Sequence, residues 1–187
     1  MKILVCICGG IAAYKSADLV NQLYKDGHEV KVMMTENACK FITPLTLQTL
    51  SKQSVITDTF NEEDPTKINH IYYAQEYDMI VVAPMTANMI GKVANGIADD
   101  VVSSTLIAAN IPIILVPAMN TVMYENRINQ ANLDKLKNYG YTIIEPDSGL
   151  LACGVEGKGK FPTIDKIINE INILTNVVIE LNKRKNL

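Results

Sequence analysis

The sequence predicts an α/β protein: a doubly wound parallel sheet with helices on both faces, three layers in all, in a single domain across residues 1–187. Three observations predict it. Short runs rich in Ile, Val and Leu are apolar at every position rather than at alternate ones, as strands buried on both faces are. These runs alternate with segments of helical spacing, the pattern of successive β-α-β units. Hydrophobic residues make up 48% of the chain, with no repeat, low-complexity segment or linker, so one core of domain size is available.

Taken in order, "KILVCIC" (2–8) is the first strand and ends at Gly9-Gly10. "YKSADLVNQLYKDG" (14–27) is a helix with Ala17, Val20 and Tyr24 on one face and Gly27 as its stop. "EVKVMMT" (29–35) is the second strand, and "CKFITPLTLQTLS" (39–51) a helix that Pro44 breaks or restarts. The polar "NEEDPTKINH" (61–70) is a surface loop entering a short helix, followed by the strand "DMIVVAP" (78–84). Residues 86–110 hold two helices divided near Gly96. "IPIILVPAMN" (111–120) is a strand and its loop, "NQANLDKLKNYG" (129–140) an amphipathic helix, and "YTIIEP" (141–146) the fifth and last strand. A long helix starts at about residue 163, with Thr163 as N-cap and Ile164, Ile167, Ile168, Ile171, Leu174, Val178 and Leu181 at three-to-four spacing before a basic tail. Its length leaves two readings open, packing on a neighbouring subunit or fraying.

Composition excludes several function classes. A formal net charge of -3 gives no footprint for nucleic acid or for a membrane surface. No apolar run reaches the roughly 18 residues that span a bilayer, and the N-terminus lacks a signal peptide's long apolar region. With Cys6, Cys8, Cys39 and Cys153 and no secretory signal, the chain reads as a reduced, cytoplasmic protein. Cys6 and Cys8 share one face of the first strand as small hydrophobes, and with only two histidines a zinc site is not expected; no metal is assigned.

A ligand of such a sheet lies beyond the carboxyl ends of its strands. Those ends carry "CGGIAAYK", "MMTENA", "APMTANM" and "VPAMN", small and hydroxyl residues where a plain solvent loop would carry charge. "CGGIAAYK" is not the dinucleotide fingerprint, and there is no Walker lysine motif. The Gly9-Gly10 turn is either an ordinary tight turn or a seat for one phosphate. Thr86 and Asn88 stand at a helix start, where capping alone accounts for Thr86. Asn120 either forms an Asx turn or projects its amide into a cleft. His70 in "KINHIYYA" is either a structural residue or the one base near neutral pH, since His28 sits in a helix-stop turn away from these loops. Cys153, with Gly154, Gly157 and Gly159 beside it, belongs either to a mobile proton-donating lid or to a plain surface loop.

Together these segments resemble the homo-oligomeric flavin-containing cysteine decarboxylases, through "GGIAAYK" (9–15), "INHI" (68–71), "APMTANM" (83–89), "NGIADD" (95–100), "PAMN" (117–120) and "LLACGVEGKG" (150–159). The resemblance spans nearly the whole chain in the family's order, and the last two segments are its specific part. It implies a Rossmann-like (flavodoxin-like) sheet that binds FMN, in homotrimers or multiples of them such as a homododecamer, with the flavin between subunits so that the histidine comes from a neighbouring chain. His70, Asn120 and Cys153 match the catalytic residues: the active-site histidine, the asparagine on the substrate carboxylate and the reprotonating cysteine. Gly9, Gly10, Ile11, Thr35, Thr86, Ala87, Asn88, Met89 and Met119 match flavin contacts. Asn120, Leu151 and Ala152 match substrate contacts.

The closest resemblance implies decarboxylation of 4'-phosphopantothenoylcysteine to 4'-phosphopantetheine in coenzyme A biosynthesis. Flavin oxidation gives a thioaldehyde, CO2 leaves, and the ene-thiol is re-reduced while Cys153 supplies a proton. Three positions depart from the family: Met89 replaces a hydroxyl residue, Gly10 stands where many members carry serine, and Lys160 stands where arginine is common. Many bacterial relatives continue into the phosphopantothenate-cysteine ligase. This chain reads as a stand-alone decarboxylase served by a separate ligase, though a piece of a fused protein would look the same. Alternatives are a decarboxylase for the C-terminal cysteine of a lantibiotic precursor peptide, a flavin prenyltransferase, a non-catalytic flavin-binding regulatory protein and a flavodoxin-like electron carrier.

Overall fold

The computed structural model describes residues 1–62 and 64–185, with the side chains of the last helix described through residue 177. Six strands form one parallel sheet: β1 (Lys2–Ile7), β2 (Glu29–Met34), β3 (Val55–Ile56), β4 (Met79–Met85), β5 (Ile113–Pro117) and β6 (Thr142–Ile143). Their order is β3-β2-β1-β4-β5-β6, so the winding direction reverses between β1 and β4. That is the doubly wound arrangement, whose ligand crevice opens at the reversal.

The continuous apolar runs are divided by the two-residue period of a strand into two cores. In β1, Leu4 and Cys6, with Cys8 just beyond, face one cluster, while Ile3, Val5 and Ile7 face the other. In β4 and β5 the same split sends Ile80, Val82, Ile113 and Leu115 one way and Met79, Val81, Ile114 and Val116 the other. Helices α1 (Ser16–Lys25), α2 (Pro44–Ser51) and α8 (Ile164–Lys185) cover the second face through Leu19, Leu23, Leu47, Ile167 and Ile171. Helices α3 (Asn69–Gln75), α4 (Ala87–Ala94), α5 (Val101–Ala108) and α7 (Arg127–Asn138) cover the first through Tyr73, Met89, Val102 and Leu136. Each fully buried Leu or Ile contributes about 1.5–3 kcal/mol relative to exposure.

Local chemistry sets the element ends that face the crevice. A 3-10 turn over Ile11–Lys15 follows Gly10, which is extended (φ -163°), and leads into α1. Buried Ser16 donates its hydroxyl to the Ala83 carbonyl at 2.7 Å, tying the start of α1 to β4. Pro44 occupies the first turn of α2, where its missing N–H costs nothing. Thr86 caps α4 by accepting from the Met89 amide. Asp100 caps α5 in a reciprocal capping box with Ser103. The short α6 (Thr121–Glu125) and α7 begin at Asn120 and Asn126, each accepting from the amide two residues on.

The structure departs from the sequence reading in two places. The edge strand β3 is two residues long and shows no apolar run to betray it. The segment read as a flexible glycine loop is a second sheet, an antiparallel hairpin of β7 (Asp147–Leu150) and β8 (Glu156–Lys160). In α8, Ile167 and Ile171 are fully buried on this chain's own sheet, whereas Ile173 and Val177 are about half exposed. The side chains of Val178, Leu181 and the basic tail lie outside the described residues. Among the described residues no helix is long and apolar enough to cross a membrane.

Candidate active site

One cavity of about 940 Å³ opens at the carboxyl ends of β1, β2, β4 and β5 under the hairpin, toward the upper end of the roughly 300–1,000 Å³ usual for small-molecule sites. Its walls bring together Gly9, Gly10, Ile11, Thr35, Thr86, Ala87, Asn88, Met89, Met119, Asn120, Leu151, Ala152 and Cys153, every sequence-predicted site residue except His70.

On the β1 side the chain passes close to the loop after β2. A Cβ on Gly9 would lie 2.4 Å from Asn37 Cβ and 2.6 Å from its carbonyl carbon, so only glycine fits there. At Gly10 the nearest atom to such a Cβ is Thr86 Cγ2 at 3.8 Å, an ordinary contact, so that position has room for a side chain. Among the described residues the Gly9 and Gly10 amides donate to no protein group. Ala87 and Asn88 lie in the first turn of α4, where amides lack intrahelical partners. Two sets of backbone donors at adjacent strand ends therefore face the same space, a donor set suited to a phosphate monoester.

Across the cavity, Asn120 performs both roles that the sequence left open. Its Oδ1 accepts from the Val122 amide at 2.9 Å, capping α6, and its Nδ2 donates to Cys153 Sγ at 3.4 Å. The cap fixes the amide's orientation, so the donor end is aimed at the thiol. Cys153 is exposed in the hairpin turn, which closes through Leu151 N–H to Val155 O and Gly154 N–H to Leu151 O, with Gly154 at φ +80°. Its pKa is lowered, first by a hydrogen bond from the Val155 amide and then by the Asn120 side chain, both of which favour the thiolate. Burial pushes the other thiols the opposite way, Cys6 well up, Cys8 to about 12 and Cys39 upward, so Cys153 is the chemically available one.

The glycines near Cys153 are not hinges throughout. A Cβ on Gly157 would lie 2.5 Å from Thr121 Oγ1, and one on Gly159 would lie 2.2 Å from the Met119 carbonyl oxygen. Met119 N–H donates to Gly159 O at 3.0 Å. Strand β8 is thus seated on the β5–α6 loop, and its glycines permit that close approach.

His70 lies in the first turn of α3, outside the cavity walls, and its buried Nδ1 has no hydrogen-bond partner among the described residues. Beside it Ile68 and Ile71 are exposed. Sequence reasoning also assigned no role to Lys92 and Asp100, which line the cavity. Lys92 Nζ binds Asp99 at 2.6 Å and Asp100 at 2.7 Å. Partial burial opposes the lysine's charge, yet the hydrogen bonds to Asp100 and Asp99 win and raise its pKa. The only signal in the sequence was the "NGIADD" segment itself.

The chain matches the family model described as Flavoprotein over residues 1–176. It is 49% identical over 167 residues to the coenzyme A biosynthesis bifunctional protein CoaBC of Bacillus subtilis (strain 168), covering 89% of this chain but 41% of that protein. It is 48% identical over 172 residues to the probable phosphopantothenoylcysteine decarboxylase of Streptococcus mutans, covering 91% of this chain and 96% of that one. The chain therefore spans about two-fifths of the bifunctional relative and nearly all of the shorter one. Among solved structures, a PPC decarboxylase cysteine-to-serine mutant complexed with pantothenoylaminoethenethiol superposes with a TM-score of 0.84 at 28% identity, covering 94% of this chain and 98% of that one. The FMN-dependent cysteine decarboxylase SpaF gives a TM-score of 0.77 at 27% identity, covering 89% and 94%. By sequence and by fold, the chain belongs to the flavoprotein family.

Proposed function

We propose that this protein is an FMN-dependent decarboxylase that converts 4'-phosphopantothenoylcysteine to 4'-phosphopantetheine in the cytoplasm, as a step of coenzyme A biosynthesis. One observation carries the reading: a single cavity sets a polarised cysteine–asparagine pair opposite two clusters of free backbone amides. The amides of Gly9, Gly10, Ala87 and Asn88 suit the phosphate of FMN, with Thr35, Thr86, Met89 and Met119 along the remaining wall. When bound, FMN supplies reversible two-electron oxidation and reduction of the substrate's thiol-bearing carbon.

The residues of the chain orient and protonate. The capped amide of Asn120 holds the substrate carboxylate beside Leu151 and Ala152. Cys153 Sγ donates a proton to the decarboxylated carbon, and its lowered pKa makes it a stronger acid than an ordinary thiol. Lys92, neutralised by Asp99 and Asp100, keeps the cavity floor in shape rather than offering a free cation. His70 enters the catalytic set from a neighbouring chain in a homotrimer or a multiple of it, and its exposed apolar flank suits such an interface. The chain acts as a single flavoprotein domain across 1–187, alongside a phosphopantothenate-cysteine ligase that bifunctional relatives carry in the same polypeptide.

The test is CO2 release by the purified flavoprotein from 4'-phosphopantothenoylcysteine, measured beside a peptide ending in cysteine. Turnover of the small molecule and none of the peptide supports the reading. The reverse preference, or a protein that takes up no FMN, overturns it.

A further inference from the structure

Thr121 is the first residue of α6, directly after Asn120, and is not among the cavity walls. Its Oγ1 is buried and has no hydrogen-bond partner among the described residues. A buried hydroxyl without a partner is a cost, so the side chain has to be held in place by something other than a hydrogen bond. What it meets is the backbone of β8: a Cβ built on Gly157 would stand 2.5 Å from Thr121 Oγ1, 2.9 Å from Cγ2 and 3.2 Å from Cβ. The bare Cα of Gly157 therefore rests against the full width of a branched side chain. Two residues further on, the Met119 N–H to Gly159 O bond and the contact of Gly159 with the Met119 carbonyl complete the seat. The two contacts bracket Asn120 in sequence, and the strand they hold leads back through Glu156 and Val155 to Cys153.

We propose that Thr121 is a positioning residue: a steric wedge that seats Gly157 of β8 and so sets the approach of Cys153 Sγ to the Asn120 amide. Thr121 acts by shape, through the branched volume on its Cβ, and not through its hydroxyl. Gly157 is required because any side chain would lift β8 off the wedge. The lift would carry the hairpin turn away from Asn120 and lengthen the 3.4 Å contact. The consequence for proton donation rests on the decarboxylase reading above, whereas the geometry does not.

The experiment follows Cys153 directly, by its rate of alkylation with iodoacetamide against pH, in the FMN-loaded protein with Cys39→Ser to silence the other partly exposed thiol. The groups that hydrogen-bond the Cys153 thiol are the Val155 amide, the Asn120 side chain and the backbone of Cys153 itself, all neutral, and the seat of β8 changes the distance to the first two. Gly157→Ala should move the midpoint up toward that of an unassisted thiol. Thr121→Ala, which removes Oγ1 and Cγ2, should move it the same way through a loosened seat. Thr121→Val, which restores the branch without the hydroxyl, should match the parent. The double variant Thr121→Ala with Gly157→Ala exchanges volume across the contact and should return the profile toward the parent. With 4'-phosphopantothenoylcysteine, the shifted variants should release CO2 while finished product gives way to a decarboxylated, unreduced species.

An unchanged profile in Gly157→Ala, a double variant no better than Gly157→Ala alone, or a Thr121→Val protein that behaves like Thr121→Ala would each overturn the proposal. If Gly157→Ala does not fold, the Thr121→Val and Thr121→Ala pair decides by itself. Alkylation shifts as expected in a protein that turns over no substrate would leave the wedge standing and sink the assigned reaction.

Discussion

Replacing Gly9 by alanine should damage cofactor binding, and the size of the effect follows from three distances. The new methyl carbon would sit 2.4 Å from Asn37 Cβ, 2.6 Å from Asn37 C and 2.9 Å from its carbonyl oxygen. Non-bonded carbons rest at about 3.5–4.0 Å, so the loop after β2 must retreat by about 1 Å or more. Two of the three obstructing atoms are backbone, and no rotamer change relieves them. The loop is not free to retreat either, because Thr35 N–H is bonded to Ile7 O at 3.0 Å and Ala38 N–H to Thr35 O at 2.9 Å. Overpacking of this kind costs about 1–3 kcal/mol. Carried into stability, that lowers Tm by about 2–12 °C for a domain of this size. Carried into FMN affinity, it weakens binding about 5–150-fold. The assay is titration of deflavinated protein with FMN by fluorescence quenching, beside calorimetric melting. Gly10→Ser is the control: its backbone is extended and its Cβ has 3.8 Å of clearance, so both readouts should stay near the parent. A Gly9→Ala protein with parental Kd and Tm would refute the reasoning, as would a Gly10→Ser protein damaged as badly.

Other perturbations test separate parts of the site. Cys153→Ser should retain FMN and release CO2 yet accumulate the oxidised, decarboxylated species, seen by mass spectrometry of the products; normal product formation would remove the thiol from the mechanism. His70→Asn should stay yellow, by flavin absorbance, and lose CO2 release. Mixing it with Cys153→Ser subunits and recovering finished product, which neither variant forms alone, would place the two residues on different chains, while no recovery would keep them on one. Stability should fall in acid for a reason visible in the ion pairs. Glu145 is held below its usual pKa first by the Lys158 hydrogen bond, and Asp99 first by Lys92. Because the folded values lie below the unfolded ones, this stability is present above the ordinary carboxylate range and lost as pH drops through it. Urea midpoints of a Lys158→Met variant should therefore fall less steeply between about pH 5 and pH 3 than those of the parent.

How much was legible in the chain can be judged residue by residue. The strand runs were readable because burial on both faces leaves an unbroken apolar signature in Ile3 to Ile7 and Met79 to Ala83. Helix ends at Pro44, Thr86 and Gly96 were readable because capping and turn chemistry are local. The edge strand β3 was not, since two residues carry no period. The hairpin was misread for a related reason: Gly157 and Gly159 look mobile in a sequence, and the Thr121 side chain and Met119 backbone that they press against are distant in the chain. Lys92 likewise gave no sign that its charge is spent on Asp99 and Asp100.

The order of residue types along this chain settles which segments are strands and helices, which strand ends lack charge, and which of four cysteines stands in a glycine-rich segment. These are properties of a few consecutive residues, and local sterics and hydrophobic period decide them. That Asn120 touches Cys153 across 33 positions, that β8 sits on the β5–α6 loop, and that four strand ends share one cavity were decided by the folded sheet. Those facts depend on strand order and on close approach between segments remote in sequence, and neither leaves a local trace.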